Sequence, residues 1–84
     1  MKLLLSKSAQ KDLDKLPDDI TLRISEKLYD LSLNPYMIGS KKLSVKNEYR
    51  IRIGDYRVVY KINKSSKEVT IFKIKHRKEV YRYR

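Results

Sequence analysis

The stretch YRIRIGDYRVVYKI, from Tyr49 to Ile62, admits few folds. Side chains alternate between the two faces of a strand, so Tyr49, Ile51 and Ile53 share one face while Arg50 and Arg52 share the other. Gly54-Asp55 interrupts the run with a residue that tolerates positive φ, followed by a good turn former. The pattern then resumes, Tyr56, Val58, Tyr60 and Ile62 alternating with Arg57, Val59 and Lys61. The two runs read as a hairpin with one apolar and one basic face. Closing it gathers Arg50, Arg52 and Arg57 on one side, a repulsion that the fold gains little from and that a polyanion, counterions or water would relieve.

The apolar face needs a cover, and the preceding residues supply one. Leu3 to Leu5 is a brief apolar run, expected to be a central or well-covered strand, with Ser6 as the N-cap of a helix beginning at Lys7. Ala9, Leu13 and Leu16 fall at i, i+4 and i+7, the spacing of an amphipathic helix that Pro17 ends. Pro17 also suits the first turn of a second helix, with Asp18 and Asp19 near its positive end and Ile20, Ile24, Leu28 and Leu31 as its apolar stripe. Asn34-Pro35 stops this helix after about Leu33. Residues 36 to 45, YMIGSKKLSV, have no clean period and are expected to form a connecting loop with Leu43 or Val45 turned inward.

After the hairpin, Lys64 to Lys67 reads as a polar turn and Glu68 to Arg77 as a third strand. Strict alternation sets Thr70, Phe72 and Ile74 under the helices and Val69, Ile71, Lys73, Lys75 and Arg77 on the other face, beside the arginines. The expected fold is α+β: a short N-terminal strand, an α-helical hairpin, then a three-stranded antiparallel meander, with the helices packed on one face of the sheet. Residues 1–84 make a single domain, with room for one core.

The net charge of +11 is unevenly spread. Residues 1 to 40 hold six Lys/Arg and six Asp/Glu, whereas residues 41 to 84 hold fifteen and four, so the whole excess lies in the second part. A neutral scaffold joined to a basic sheet points to nucleic acid; membrane binding would place the cations on an amphipathic helix. With no cysteine and one histidine, neither a thiolate metal site nor an imidazole cluster can be built. No apolar run approaches the ~20 residues of a membrane span, and the cytoplasm is the expected compartment. Near the end, EVYRYR sets Tyr81 and Tyr83 among arginines, where an exposed ring could stack on a base.

The order strand, helical hairpin, meander, with YRIRIGDYRVVYKI followed by VTIFKIKHRKEVYRYR, resembles the RelE/ParE superfamily of toxins from toxin–antitoxin pairs, particularly its archaeal and HR-x-x-x-Y type RelE members. The resemblance covers nearly the whole chain. It implies a single RelE-like toxin domain and a ribosome-dependent endoribonuclease that cleaves messenger RNA in the decoding site by 2′-hydroxyl attack, without a metal or small-molecule cofactor. It sets Arg50 and Arg52 where RelE has its two basic strand residues, and Arg57 where it has a phosphate-binding arginine. It likewise sets Arg77 where RelE has an arginine proposed as general acid, and Tyr81 where it has a base-stacking tyrosine. Lys46, Lys61, Lys73, Lys75 and Lys78 are expected to hold the RNA. The implied partners are a RelB-like antitoxin, the ribosome and messenger RNA, with no membrane.

Bacterial RelE carries lysines where this chain has Arg50 and Arg52, and a guanidinium with a pKa above ~12 is a poor proton acceptor. Two accounts of the chemistry are open. Either the arginines act electrostatically on a 2′-alkoxide and the phosphorane, or His76 carries a proton. The alternative functions are a ParE-like gyrase inhibitor and a catalytically decayed relative that only grips nucleic acid. Arg57, Arg77 and Tyr81 together favour the nuclease.

Overall fold

The computed structural model describes residues 1–37, 39–43, 47–76 and 78. Strand β1 (Lys2–Leu5) hands over to helix α1 (Lys7–Asp14) at Ser6, whose extended backbone lets its hydroxyl accept the Ala9 N–H at 3.1 Å. The same hydroxyl donates to the Phe72 carbonyl at 3.2 Å, and the Ser6 N–H donates to the Ile71 carbonyl at 2.9 Å. The strand-to-helix junction is thereby stitched to the distant Ile71-Phe72 segment. Pro17 caps helix α2 (Asp18–Leu33), and Asp18 and Asp19 occupy its first turn, where the unpaired N–H groups favour negative charge. The Thr21 hydroxyl reaches back to the Leu13 and Leu16 carbonyls at 3.4 and 3.3 Å, closing the corner of the helical hairpin.

Among the described residues the remaining elements are strands: β2 (Lys41–Lys42), β3 (Glu48–Ile53), β4 (Tyr56–Asn63) and β5 (Glu68–His76). With β1 they form one mixed sheet in the order β1-β5-β4-β3-β2, in which β3, β4 and β5 are the antiparallel meander and β1 runs parallel to β5. Gly54 takes φ +59° in the two-residue turn between Ile53 and Tyr56, while Asp55 does not, the pattern of a type II′ turn whose twist suits a hairpin. No helix of the described residues is long and apolar enough to cross a membrane.

Ala9, Ile24, Leu28 and Leu31 of the helices pack on Ile51, Ile53, Val58, Tyr60, Ile62, Val69, Ile71 and Ile74 of the sheet, all buried. The α+β fold with helices on one face agrees with the sequence reading, and three details depart from it. First, residues 41 and 42, expected in a loop, add a short strand to the β3 edge. Leu43 just beyond is 45% exposed instead of turned inward, and Val45 lies outside the described residues. Second, β1 stands at an edge of the sheet, with its leucines only half-buried.

Third, Phe72 is not in the core. The register between β4 and β5 shifts at Val59/Tyr60, so that Val59 faces Lys73 while Tyr60 faces Ile71, and Phe72 is the extra residue of a bulge. The bulge reverses the parity. Val69 and Ile71, expected outward, are fully buried, and Thr70 and Phe72, expected inward, are only half-buried. Beyond the bulge Ile74 faces the helices as expected.

Candidate functional site

Residues paired across neighbouring strands project to the same side of a sheet. On the side away from the helices, the register aligns Lys41, Arg50, Val59 and Lys73 in one row across β2 to β5, and Arg52, Arg57 and Lys75 in the next. Neither row contains an acidic residue. Paired Cα atoms stand ~4.5–5.5 Å apart, so like charges directly opposite one another destabilise the sheet that carries them. Arg50, Arg52 and Arg57 therefore share a face, as the alternation implies, and Lys73 and Lys75 extend it. Lys41 is not legible as a member from sequence, because its place depends on a two-residue strand that local sequence does not announce.

Arg50, Arg52 and Arg57 of these rows line a shallow cavity of about 190 Å³ together with Gly39, Lys41 and Ile51. Its geometry is held from two directions. The Arg52 Nε–H donates to the Gly54 carbonyl at 3.0 Å, which ties that guanidinium to the hairpin turn. On the other side a column of rings fixes the segment that brings in Gly39 and Lys41. Tyr36 meets Tyr49 edge-on and Tyr49 stacks on Tyr60, both at 5.7 Å between centroids. The buried Tyr60 hydroxyl donates to the Pro35 carbonyl at 2.8 Å. Burial pushes the Tyr60 phenol above its ordinary range, against a lowering by the Ser40 hydroxyl, and the neighbouring Tyr49 and Tyr36 raise it further.

The second row ends in an ion pair. The Lys75 Nζ donates to Asp12 Oδ1 at 2.8 Å, and the other oxygen of Asp12 accepts the Ile74 N–H at 3.2 Å. β1 has ended by this point, so α1 covers the open edge of β5, and Asp12 satisfies an edge donor while holding a cation of the row. Nothing in the sequence distinguishes Asp12 from Asp14 or Asp18 for this task.

Lys61 occupies a third row, opposite Glu48 and Thr70. Its Nζ is 3.8 Å from Glu48 Oε1, both side chains well exposed, and lies 5.2 Å over the Phe72 ring centroid. An exposed pair of this kind contributes little to stability. His76 is paired with Tyr56, whose ring it meets edge-on at 5.2 Å, in a hollow at the α1 edge of the sheet shared with Asp12, Lys15, Leu16, Ile74 and Lys75. The sheet thus separates His76 from Arg50, Arg52 and Arg57. Its Nδ1 accepts the Lys78 N–H at 3.2 Å, and Lys78 itself is exposed. Lys46, Arg77 and Tyr81 lie outside the described residues. Among the described residues no group of three or more His, Cys, Asp or Glu side chains comes together as a metal site.

With this geometry in place, the chain can be set beside known proteins. The profile of a family described as ParE toxin of type II toxin-antitoxin system, parDE, matches residues 3–81. Toxin RelE3 of Methanocaldococcus jannaschii is 34% identical over 88 residues, covering 99% of this chain and 98% of that toxin. Toxin RelG of Mycobacterium tuberculosis is 32% identical over 77 residues, covering 89% of this chain and 88% of that toxin. Among solved structures, the RelB–RelE antitoxin–toxin complex from Methanococcus jannaschii matches with a TM-score of 0.78 at 28% identity, over 96% of this chain and 98% of the matched chain.

Proposed function

The chain belongs to the ParE toxin family of type II toxin–antitoxin systems, with RelE toxins as its relatives, and from that premise we propose that it is a ribosome-dependent endoribonuclease acting on messenger RNA. The observation that carries the reading is the like-charged cross-strand neighbours Lys41–Arg50 and Arg52–Arg57 on the face away from the helices, with Lys73 beyond Val59 in the first row and Lys75 at the end of the second, where Asp12 of α1 pairs with it. A fold gains nothing by opposing like charges on adjacent strands. A phosphodiester passing to a phosphorane gains a great deal from them, because preorganised cations cost no reorganisation as the charge develops.

In this reading the 2′-hydroxyl of the RNA loses its proton to water as it attacks the adjacent phosphorus, the P–O5′ bond breaks with a proton delivered to the leaving 5′ oxygen, and the products carry a 2′,3′-cyclic phosphate and a 5′-hydroxyl. Arg50 and Arg52 stabilise the developing 2′-alkoxide, Arg57 the equatorial oxygens, and Arg77 gives a proton to the leaving 5′ oxygen, while Tyr81 stacks on a base. Lys46, Lys61, Lys73, Lys75 and Lys78 hold the flanking backbone. The electrostatic account is preferred to proton carriage by His76, whose ring stands with Tyr56 at the α1 edge of the sheet.

A RelB-like antitoxin, as in the Methanococcus jannaschii complex, is the proposed partner, and the cytoplasm the proposed compartment. Mapping cuts in a programmed message tests the function. Cleavage is expected only with ribosomes, with cyclic-phosphate ends, and unchanged when EDTA is added at a magnesium activity that keeps ribosomes intact. Cuts in free RNA, or growth arrest with DNA damage signalling and intact messages, would overturn the reading; the second result would favour a gyrase poison.

A further inference from the structure

The bulge in β5 places an aromatic ring where strict alternation would have put none. Phe72 and Lys73 are consecutive yet both project from the basic face, because Tyr60 pairs with Ile71 and Val59 with Lys73, leaving Phe72 as the extra residue between them. Lys61 confirms the side on which the ring lies, its ammonium 5.2 Å above the centroid. Phe72 lines a concavity of about 420 Å³ together with Asn47, Lys61, Asn63, Lys64 and Thr70. It therefore combines a π face, two cations and two side-chain amides. The Asn63 amide oxygen already accepts the Ser66 N–H at 3.1 Å, which fixes the carboxamide in the turn.

From these features we propose that Phe72 and Lys61 form a stacking subsite for an unpaired nucleobase, separate from the arginine rows. An aromatic floor accepts any base, since every base has a π face, and Lys61 can take the adjoining phosphate when the base displaces it from the ring. Asn47 and Asn63 offer donors and acceptors to base edges. At a strand rise of ~3.3 Å per residue, Lys61 stands ~13 Å along β4 from Arg57, so one RNA strand can reach both sites across a short run of nucleotides. A stacking ring is sequence-tolerant, so the subsite fixes the register of the strand and leaves base choice open. The proposal rests on the RNA-directed reading above and adds a contact that charge alone does not supply.

The test compares Phe72→Leu, which keeps apolar bulk and removes the ring, with Phe72→Trp, which enlarges it and introduces the chain's one tryptophan. The probes are a short unstructured oligoribonucleotide, ribosomes with an empty decoding site, and programmed ribosomes; melting temperatures are recorded in parallel. Phe72→Leu is expected to weaken binding about five- to a hundredfold without changing the salt slope, because no charge is lost. Phe72→Trp is expected to restore affinity, with its fluorescence quenched on binding RNA. An effect on the oligonucleotide and programmed ribosomes assigns the base to the message, whereas one already present on empty ribosomes assigns it to ribosomal RNA. Unchanged affinity of Phe72→Leu in all three, alongside normal salt-dependent binding by the wild type, would overturn the subsite alone. So would a loss confined to binding of the antitoxin. Failure of the wild type to bind any of these RNAs would overturn the underlying function instead.

Discussion

Tyr60 shows how one side chain serves both core and site. Its ring is fully buried, its hydroxyl satisfies the Pro35 carbonyl, and through Tyr49 it holds the segment that carries Lys41 to the sheet edge. Tyr60→Phe leaves a buried acceptor unpaired, a loss of about 1–3 kcal/mol that urea denaturation can measure. The raised phenol also gives a pH signature. Above about pH 10 the unfolded chain releases this proton first, so the folded state binds more protons and stability falls as pH rises. Phenylalanine does not titrate, and the slope of stability against pH in that range should be shallower in the variant. Identical slopes would show that the Tyr60 phenol does not contribute to the alkaline sensitivity. That Tyr60 lies on the apolar face is readable from alternation with Val58 and Ile62; that its hydroxyl finds Pro35 is not, since the bond joins residues distant in sequence.

At the level of elements, the hairpin is legible because Gly54-Asp55 interrupts two alternating runs, and the helical hairpin because Ser6, Pro17 and Asn34-Pro35 punctuate two apolar stripes. Strict alternation misassigns the inward set of β5 for a specific reason. Glu68 to His76 contains apolar residues on both parities, and only the register shift against β4 decides which half of the strand uses which. The same shift reassigns the energetics. Ile71→Ala should cost about 2–5 kcal/mol, as a large-to-small change in a packed core, whereas Phe72→Leu should cost less than about 1.5 kcal/mol. Denaturation midpoints compare the two directly, and a larger loss at Phe72 would mean that the ring faces the helices. β2 escapes a reading of the sequence because two lysines in a polar segment carry no strand signal; pairing with β3 makes the strand.

At the scale of the whole molecule, a nearly neutral helical layer supports a sheet that sets Lys41, Arg50, Arg52, Arg57, Lys61 and Lys73 on the side away from the helices. Binding to RNA should weaken steeply with salt, with a log–log slope of roughly −0.7 for each single-strand phosphate contacted. Lys73→Ala should flatten that slope by about one contact while leaving the melting temperature unchanged, because the side chain is exposed. A slope insensitive to Lys73 would remove it from the interface. The charge asymmetry and the shared face of Arg50, Arg52 and Arg57 are legible in the sequence. The participation of Asp12 and Lys41 is not, since both enter through contacts between distant segments. The central claim is that the arginine rows act on a phosphodiester in its transition state, and single-turnover cleavage of a programmed message by wild type, Arg57→Ala and Arg57→Lys tests it most directly. The account predicts that Arg57→Ala cleaves ~100-fold or more slowly with ribosome binding and melting temperature nearly preserved, and that Arg57→Lys recovers part of the rate. Cleavage by Arg57→Ala at the wild-type rate would contradict it.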